Sequence, residues 1–154
     1  MKNKTCCFTG HRIIKKDDVT YIKKNLEQSI ENLIERGVIY FGCGGAIGFD
    51  TLAAETVIEL KRKYPEIKLI LVLPCADQNK YWNEKDKAVY KEIKSKADKV
   101  RILSGTYFPG CMQTRNRHLI DNSGFCIAYL RKQTGGTEYT VRYAKNKGVK
   151  VIYI

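Results

Sequence analysis

The sequence predicts an α/β fold, a Rossmann-like three-layer α/β/α domain built on a mostly parallel sheet. Three observations predict it. Short apolar runs rich in β-branched and aromatic residues alternate along the chain with helical stretches. Those runs are apolar almost throughout, as strands covered on both faces are. Glycine-rich segments follow strands and open helices, the place where such folds turn.

The elements follow in order. Thr5 to Thr9 reads as the first strand. Asp17 to Arg36 reads as an amphipathic helix, with Val19, Ile22, Leu26, Ile30 and Leu33 recurring at three- and four-residue steps. Gly37 ends it, as a residue free to take positive φ. Val38 to Phe41 is the second strand and Phe49 to Lys63 the next helix, with Tyr64-Pro65 as the breaker. Ile67 to Leu73 is the third strand, stopped by Pro74. A polar helix from about Tyr81 to Lys96, a strand at Lys99 to Leu103 and a helix at Met112 to Asn122 come next. Phe125 to Leu130 is a strand, Thr137 to Lys147 a helix, and Val149 to Ile154 the final strand.

A chain of 154 residues fits one domain, expected to span 1–154 with no linker, repeat or C-terminal effector domain. A domain of this length buries roughly 70% of its unfolded surface, enough to fold without disulfides or metal. No apolar run approaches a membrane span, and no apolar signal core precedes the first strand. A cytoplasmic protein with no membrane partner is expected. The six cysteines (Cys6, Cys7, Cys43, Cys75, Cys111 and Cys126) form no C-x-x-C pair and read as core thiols. Neither His11 nor His118 sits in a ligand spacing, so no metal is expected. Cys43, inside a glycine turn, is the one thiol placed to touch a ligand. The net charge of +12 leaves two readings: a solvated basic face, or an anionic partner.

Three segments emerge at the carboxyl ends of predicted strands. Gly42-Cys43-Gly44-Gly45-Ala46-Ile47-Gly48 follows the second strand and opens a helix beginning Phe49-Asp50. Glycine lets a phosphate approach backbone N–H groups, and a helix N-terminus supplies unpaired donors and a positive dipole end. The turn matches neither the dinucleotide fingerprint nor the P-loop, so a ligand-free connection stays open. Thr134-Gly135-Gly136-Thr137 repeats the arrangement at a later helix, and Thr9-Gly10-His11-Arg12 follows the first strand. Their convergence on one sheet edge predicts a binding site better than any one alone.

Polar side chains gather near the same edge. Arg115 and His118 lie three apart on one helix face; Arg117 and Asp121, four apart, are spaced to pair. Arg115 suits a phosphate or carboxylate, or a surface salt bridge. Asp50 has two open roles, ribose acceptor or helix cap. Gln78 and Trp82 follow the third strand, where Trp82 either stacks on a base or packs at a helix start. With Asn116 beside Arg115, the candidate ligand contacts are Thr9, Gly10, His11, Arg12, Gly42, Gly44, Gly45, Ala46, Gly48, Asp50, Gln78, Trp82, Arg115, Asn116, Gly135, Gly136 and Thr137.

Cys7-Phe8-Thr9-Gly10-His11-Arg12, Gly44-Gly45-Ala46-Ile47-Gly48-Phe49-Asp50, Leu73-Pro74-Cys75 with Gln78 and Trp82, Arg115-Asn116-Arg117 and Gly135-Gly136-Thr137 together resemble the YpsA-like family of bacterial proteins. The resemblance covers nearly the whole chain. It places the chain in the SLOG superfamily, beside the lysine-decarboxylase-like phosphoribohydrolases and the DNA-processing protein DprA. It implies binding of a nucleotide or nucleotide-derived molecule, with NAD and ADP-ribose-like ligands in scope, and supplies no reaction for this branch. The phosphoribohydrolases carry P-G-G-x-G-T-x-x-E; counted from Gly135, the Glu position here is Arg142. A nucleotide-binding or sensing domain is therefore the leading expectation and no catalytic residue is assigned. A phosphoribohydrolase-like enzyme, using Asp50 or Glu55 instead, is the second. DprA-like nucleic-acid binding, resting on the charge, is the third. A homodimer packed through helices is a further expectation.

Overall fold

The computed structural model describes residues 1–154. Six strands, β1 (Thr5–Gly10), β2 (Tyr40–Cys43), β3 (Lys68–Leu73), β4 (Lys99–Ile102), β5 (Phe125–Tyr129) and β6 (Lys150–Tyr153), form one sheet in the order β4-β3-β2-β1-β5-β6. Every neighbouring pair is parallel. Five helices connect them: α1 (Val19–Glu35), α2 (Phe49–Lys61), α3 (Glu84–Lys96), α4 (Cys111–Asp121) and α5 (Gly136–Asn146). The fold is the expected three-layer α/β/α sandwich.

The strand order explains the layers. From β1 to β4 the chain steps outward in one direction, so right-handed crossovers put α1, α2 and α3 on one face. It then crosses β1 to reach β5 and β6, which puts α4 and α5 on the other. Packing agrees: α2 contacts α1 and α3, while α4 contacts α5. The larger core lies under α1–α3 and includes Ile22, Leu26, Ile30 and Leu33, all essentially inaccessible. Each such aliphatic side chain contributes roughly 1.5–3 kcal/mol on burial. A smaller cluster with Cys7, Leu119, Ile120, Cys126 and Ala144 lies under α4 and α5. All six cysteines are free and buried.

Most element ends lie within two residues of the sequence expectation, and the differences at β2 and α3 have a clear cause. β2 begins at Tyr40 rather than Val38 and runs on through Gly42 and Cys43. The end of α1 explains the first difference. The Val38 amide donates to the Leu33 carbonyl and the Gly37 amide to Ile34, closing the helix around Gly37 at φ 95°. Val38 is thus used as a helix stop. α3 begins at Glu84, not Tyr81, because the Asn83 side chain accepts from the Asp86 amide at 2.8 Å and caps it. Tyr81 and Trp82 lie in tight turns before that cap, where Lys80 and Trp82 donate to the carbonyls three residues back. No helix is long and apolar enough to cross a membrane.

Candidate ligand-binding site

β2 and β5 flank β1, and the chain leaves β1 one way and returns on the other side. Crevices open at the carboxyl ends of strands at such a reversal. A cavity of about 390 Å³ lies there, lined mainly by polar residues. Its walls come from the β1 exit (Thr9 to Arg12), the start of α2 (Ala46 and Asp50), α4 (Arg115 and Asn116) and the β5–α5 loop (Gly135 to Thr137).

The β1 exit is held against the glycine turn. A Cβ on Gly10 would lie 2.6 Å from the Phe49 Cβ, so only glycine fits there. The Phe49 amide donates to the His11 carbonyl at 3.1 Å. His11 Nε2 accepts from the Arg131 amide at 2.8 Å, tying the β5–α5 loop to β1. That bond requires a neutral ring. Burial, with the Lys132 and Arg131 charges adding to it, lowers the His11 pKa from its ordinary 6.5. His118 is lowered as well, by burial and then Arg101. A histidine with a depressed folded pKa contributes stability that is complete above 6.5 and lost as pH falls through the folded pKa. The histidine contribution to the urea unfolding midpoint is therefore expected to fall as pH drops below about 6.5, and His11→Gln to lose part of that slope relative to wild type. An unchanged slope in His11→Gln refutes the assignment.

The β2–α2 turn folds around a buried carboxylate. Asp50 Oδ2 accepts from the Ala46 amide at 3.2 Å, and the Asp50 carbonyl accepts the Cys43 thiol at 3.1 Å. Burial pushes the Asp50 carboxyl up, while Arg115, the Ala46 amide and Arg12 oppose it. Asp50 is therefore no exposed helix cap: Gly48 holds that position without a side-chain cap. The Cys43 thiol is raised well above its ordinary value by burial, then by the Asp50 charge. It lies outside the cavity and is no thiolate at neutral pH.

Arg115 is 4% exposed and forms no salt bridge. Its Nε donates to Asn116 Oδ1 at 2.8 Å, one terminal nitrogen to the Gly44 carbonyl and the other to the Met112 sulfur at 3.8 Å. Burial lowers its pKa, with Asp50 opposing, but a guanidinium stays charged in proteins. A buried cation against the cavity, without a carboxylate in contact, is a strong attractor for an anion. The surface-salt-bridge reading of Arg115 is thereby corrected.

The second donor group is the start of α5. No side chain caps it, and the first intrahelical bond there is from the Tyr139 amide to the Gly135 carbonyl. The amides of Gly136, Thr137 and Glu138 are left without backbone partners where the helix opens beside the cavity. Orphan donors and the positive dipole end favour an anion there.

The structure thus brings together Thr9, Gly10, His11, Arg12, Ala46, Asp50, Arg115, Asn116, Gly135, Gly136 and Thr137. It separates six other candidates. Gly42 lies within β2 under Leu119, on the opposite face from the turn's packing. Gly44 backs onto Arg115, Gly45 onto Leu73, and Gly48 onto the Arg12 backbone. Gln78 donates to the Gly44 carbonyl at 3.4 Å, and Trp82 packs edge-on against Tyr90 at 5.0 Å. Apart from Gly42, these residues shape the turn from behind. His118 does not share the Arg115 site; it lines a groove beside Arg101. Arg117 does not pair with Asp121, since it donates to Tyr139 and Thr114, while Asp121 accepts from Tyr143. Arg142 is exposed and pairs with Glu138 at 3.2 Å, so Asp50 is the one acidic residue on the cavity wall. Sequence reasoning missed Lys132, Met112 and Gln113, and named Thr134 only as the start of its glycine segment. Lys132 and Thr134 were signalled by their place just before Gly135; Met112 and Gln113 had no signal beyond proximity to Arg115.

A UPF0398 protein from Halalkalibacterium halodurans is 36% identical over 132 residues, covering 84% of this chain and 70% of its own. One from Enterococcus faecalis is 30% identical over 153 residues, covering 93% and 85%. Two solved structures share the fold: the DNA processing protein A of Helicobacter pylori, at TM-score 0.69 and 19% identity, and that of Streptococcus pneumoniae, at 0.70 and 18%. This chain spans 65% and 49% of those two proteins. The Helicobacter pylori protein is described as binding single-stranded DNA. The family model YpsA, described as the YspA SLOG family, matches residues 7–153, and the chain belongs to that family.

Proposed function

We propose that the cavity binds a small nucleotide-type ligand through its phosphate, and that the domain is a nucleotide-binding or sensing module. The observation that carries this reading is the pairing of two anion-seeking groups at one cleft. Arg115 is buried without a carboxylate in contact, and the uncapped start of α5 opens beside it. Asp50 supplies an acceptor for a sugar hydroxyl on the same wall. The cavity volume falls in the range of roughly 300–1,000 Å³ typical of small-molecule sites. Calorimetric titration with AMP, NAD and ADP-ribose tests it. Saturable binding of at least one, lost in Arg115→Ala, is expected; no binding by any of them in the millimolar range refutes it.

Nucleic-acid binding is the second reading, favoured by one specific asymmetry. Residues 99–154 hold ten basic and two acidic residues, so most of the +12 sits on the final third of the chain. Several of those cations lie over tyrosines, including Arg142 over Tyr139 and Lys147 over Tyr143. The DNA-binding protein from Helicobacter pylori has the same fold. A phosphate-tracking interface weakens steeply with salt. Oligonucleotide binding in low-salt gel shifts that disappears on adding salt supports this reading, and its absence at low salt removes it.

A further inference from the structure

The two faces of the sheet are covered unequally. Three helices, α1, α2 and α3, lie on one face, whereas the other carries α4 and α5. α5 packs on β1, β5 and β6, and α4 on β1 and β3. Alongside α4, over β2, β3 and β4, lies an open groove of about 420 Å³. It runs over the strands themselves, apart from the strand exits that wall the first cavity.

Sheet register sets its chemistry. Gly42 pairs with Ile70, Ile70 with Lys99 and Val72 with Arg101, so alternate residues of three strands share this face. Ile70 and Val72, with Leu119 of α4, form an apolar floor, and Gly42 adds no side chain to fill it. A sheet face of this kind is normally buried against a further layer. Lys99 and Arg101 stand exposed along the β4 rim. Neither forms a salt bridge, and no carboxylate lines the groove.

These features select the occupant. Three neighbouring strands span about 10 Å, the width of one helix. Unpaired cations along one rim favour a partner with carboxylates on the matching side. A second copy joined face to face by a two-fold axis would set Lys99 and Arg101 of both copies into one interface, like charge against like. A single-stranded nucleic acid would find one tyrosine there, the half-buried Tyr40, whereas its bases bind by stacking on aromatic side chains.

We propose that this open half-face docks an amphipathic helix of another protein, apolar on one side and acidic along its flank. The helix lies beside α4 as the third helix of that layer. Its apolar side rests on Ile70, Val72 and Leu119, and its carboxylates face Lys99 and Arg101. This is recognition of a helix in a groove, and it stands apart from the ligand reading of the first cavity.

The probe is a synthetic helical peptide of about 18 residues, with leucines at i, i+3, i+4 and i+7 and glutamates on the flank. A scrambled peptide of the same composition carries the same charge without the apolar stripe. Fluorescence anisotropy on the full chain is expected to show saturable binding of the amphipathic peptide and at least about tenfold weaker binding of the scrambled one. Arg101→Glu, at an exposed position, is expected to weaken the amphipathic peptide by about tenfold. Lys24→Glu makes the same change in net charge at an exposed position on α1, and is expected to leave binding unchanged. No binding of the amphipathic peptide overturns the proposal. Equal binding of both peptides, or equal effects of the two substitutions, also overturns it, since attraction to a basic protein then suffices. Self-association of the chain, or binding of an oligothymidine, that depends on Arg101 while the peptide does not bind assigns the face to a second copy or to nucleic acid, and overturns it as well.

Discussion

Arg115→Ala is expected to abolish ligand binding and to destabilise the protein by about 3 kcal/mol near neutral pH. Two effects act together. The variant loses the buried guanidinium at the cavity, and it strips Asp50 of the charge that most opposes its desolvation. Asp50 and Arg115 make no direct contact, but the guanidinium charge acts on the buried carboxyl through the turn, and removing it leaves Asp50 without its main compensation. The pH dependence has a definite sign. Burial already raises the folded Asp50 carboxyl, so the folded state holds its proton more tightly than the unfolded state. Stability therefore falls as pH rises through the folded pKa. Without Arg115 the carboxyl rises further, and the deficit against wild type is largest at high pH and shrinks in acid. Denaturant unfolding at several pH values checks this, and Asp50→Asn placed on Arg115→Ala is expected to recover much of the loss. A pH-independent deficit, not relieved by Asp50→Asn, contradicts the coupling. Arg115→Lys keeps a charge but loses the planar fork, so it is expected to bind weakly.

Gly48→Ala carries the second large effect, a loss of about 3 kcal/mol or more. Gly48 has φ 80° and ψ −123°, a region open essentially to glycine, and forcing another residue there costs about 1–3 kcal/mol. A Cβ would also lie 2.6 Å from the Arg12 Cα, with the Arg12 carbonyl nearer still. Backbone cannot give way like a side chain, so overpacking adds a further cost of about 1–3 kcal/mol. The damage reaches function because the displaced strand exit carries Thr9 to Arg12, one wall of the cavity. Thermal unfolding and ligand titration check both parts. Gly136→Ala is the control: nothing lies within 4 Å of its Cβ position, so little stability is lost. A Gly48→Ala protein as stable as that control contradicts the packing account.

Much of the fold was legible because its strands are short, continuous apolar runs and α1 repeats its apolar residues at helical spacing. The layer order followed from connection handedness once the strands were placed. Legibility failed where one residue serves two elements. Val38 looks like a strand residue, but its amide closes α1. Tyr81 and Trp82 fit a helical pattern, yet Asn83 caps the helix after them.

The site was legible as a set of strand exits and less so as individual contacts. Glycine spacing located the β2–α2 turn but did not say which side of each glycine faces the cavity. Gly44, Gly45 and Gly48 are required by what packs behind them: Arg115, Leu73 and the Arg12 backbone. Those neighbours lie far away in sequence, so local pattern carries no trace of them. His118 was misplaced for a related reason. Residues three apart on a helix still differ by about 60° in direction, which puts His118 over the groove beside Arg101.

If Arg115 and the start of α5 form one anion-binding site, amide-resolved NMR during titration with ADP-ribose will see both at once. Saturable shifts are expected at the Gly136, Thr137 and Glu138 amides and at the Arg115 guanidinium, all following one binding curve and all lost in Arg115→Ala. Saturating ligand that leaves those four resonances in place, while the protein stays folded, would contradict it.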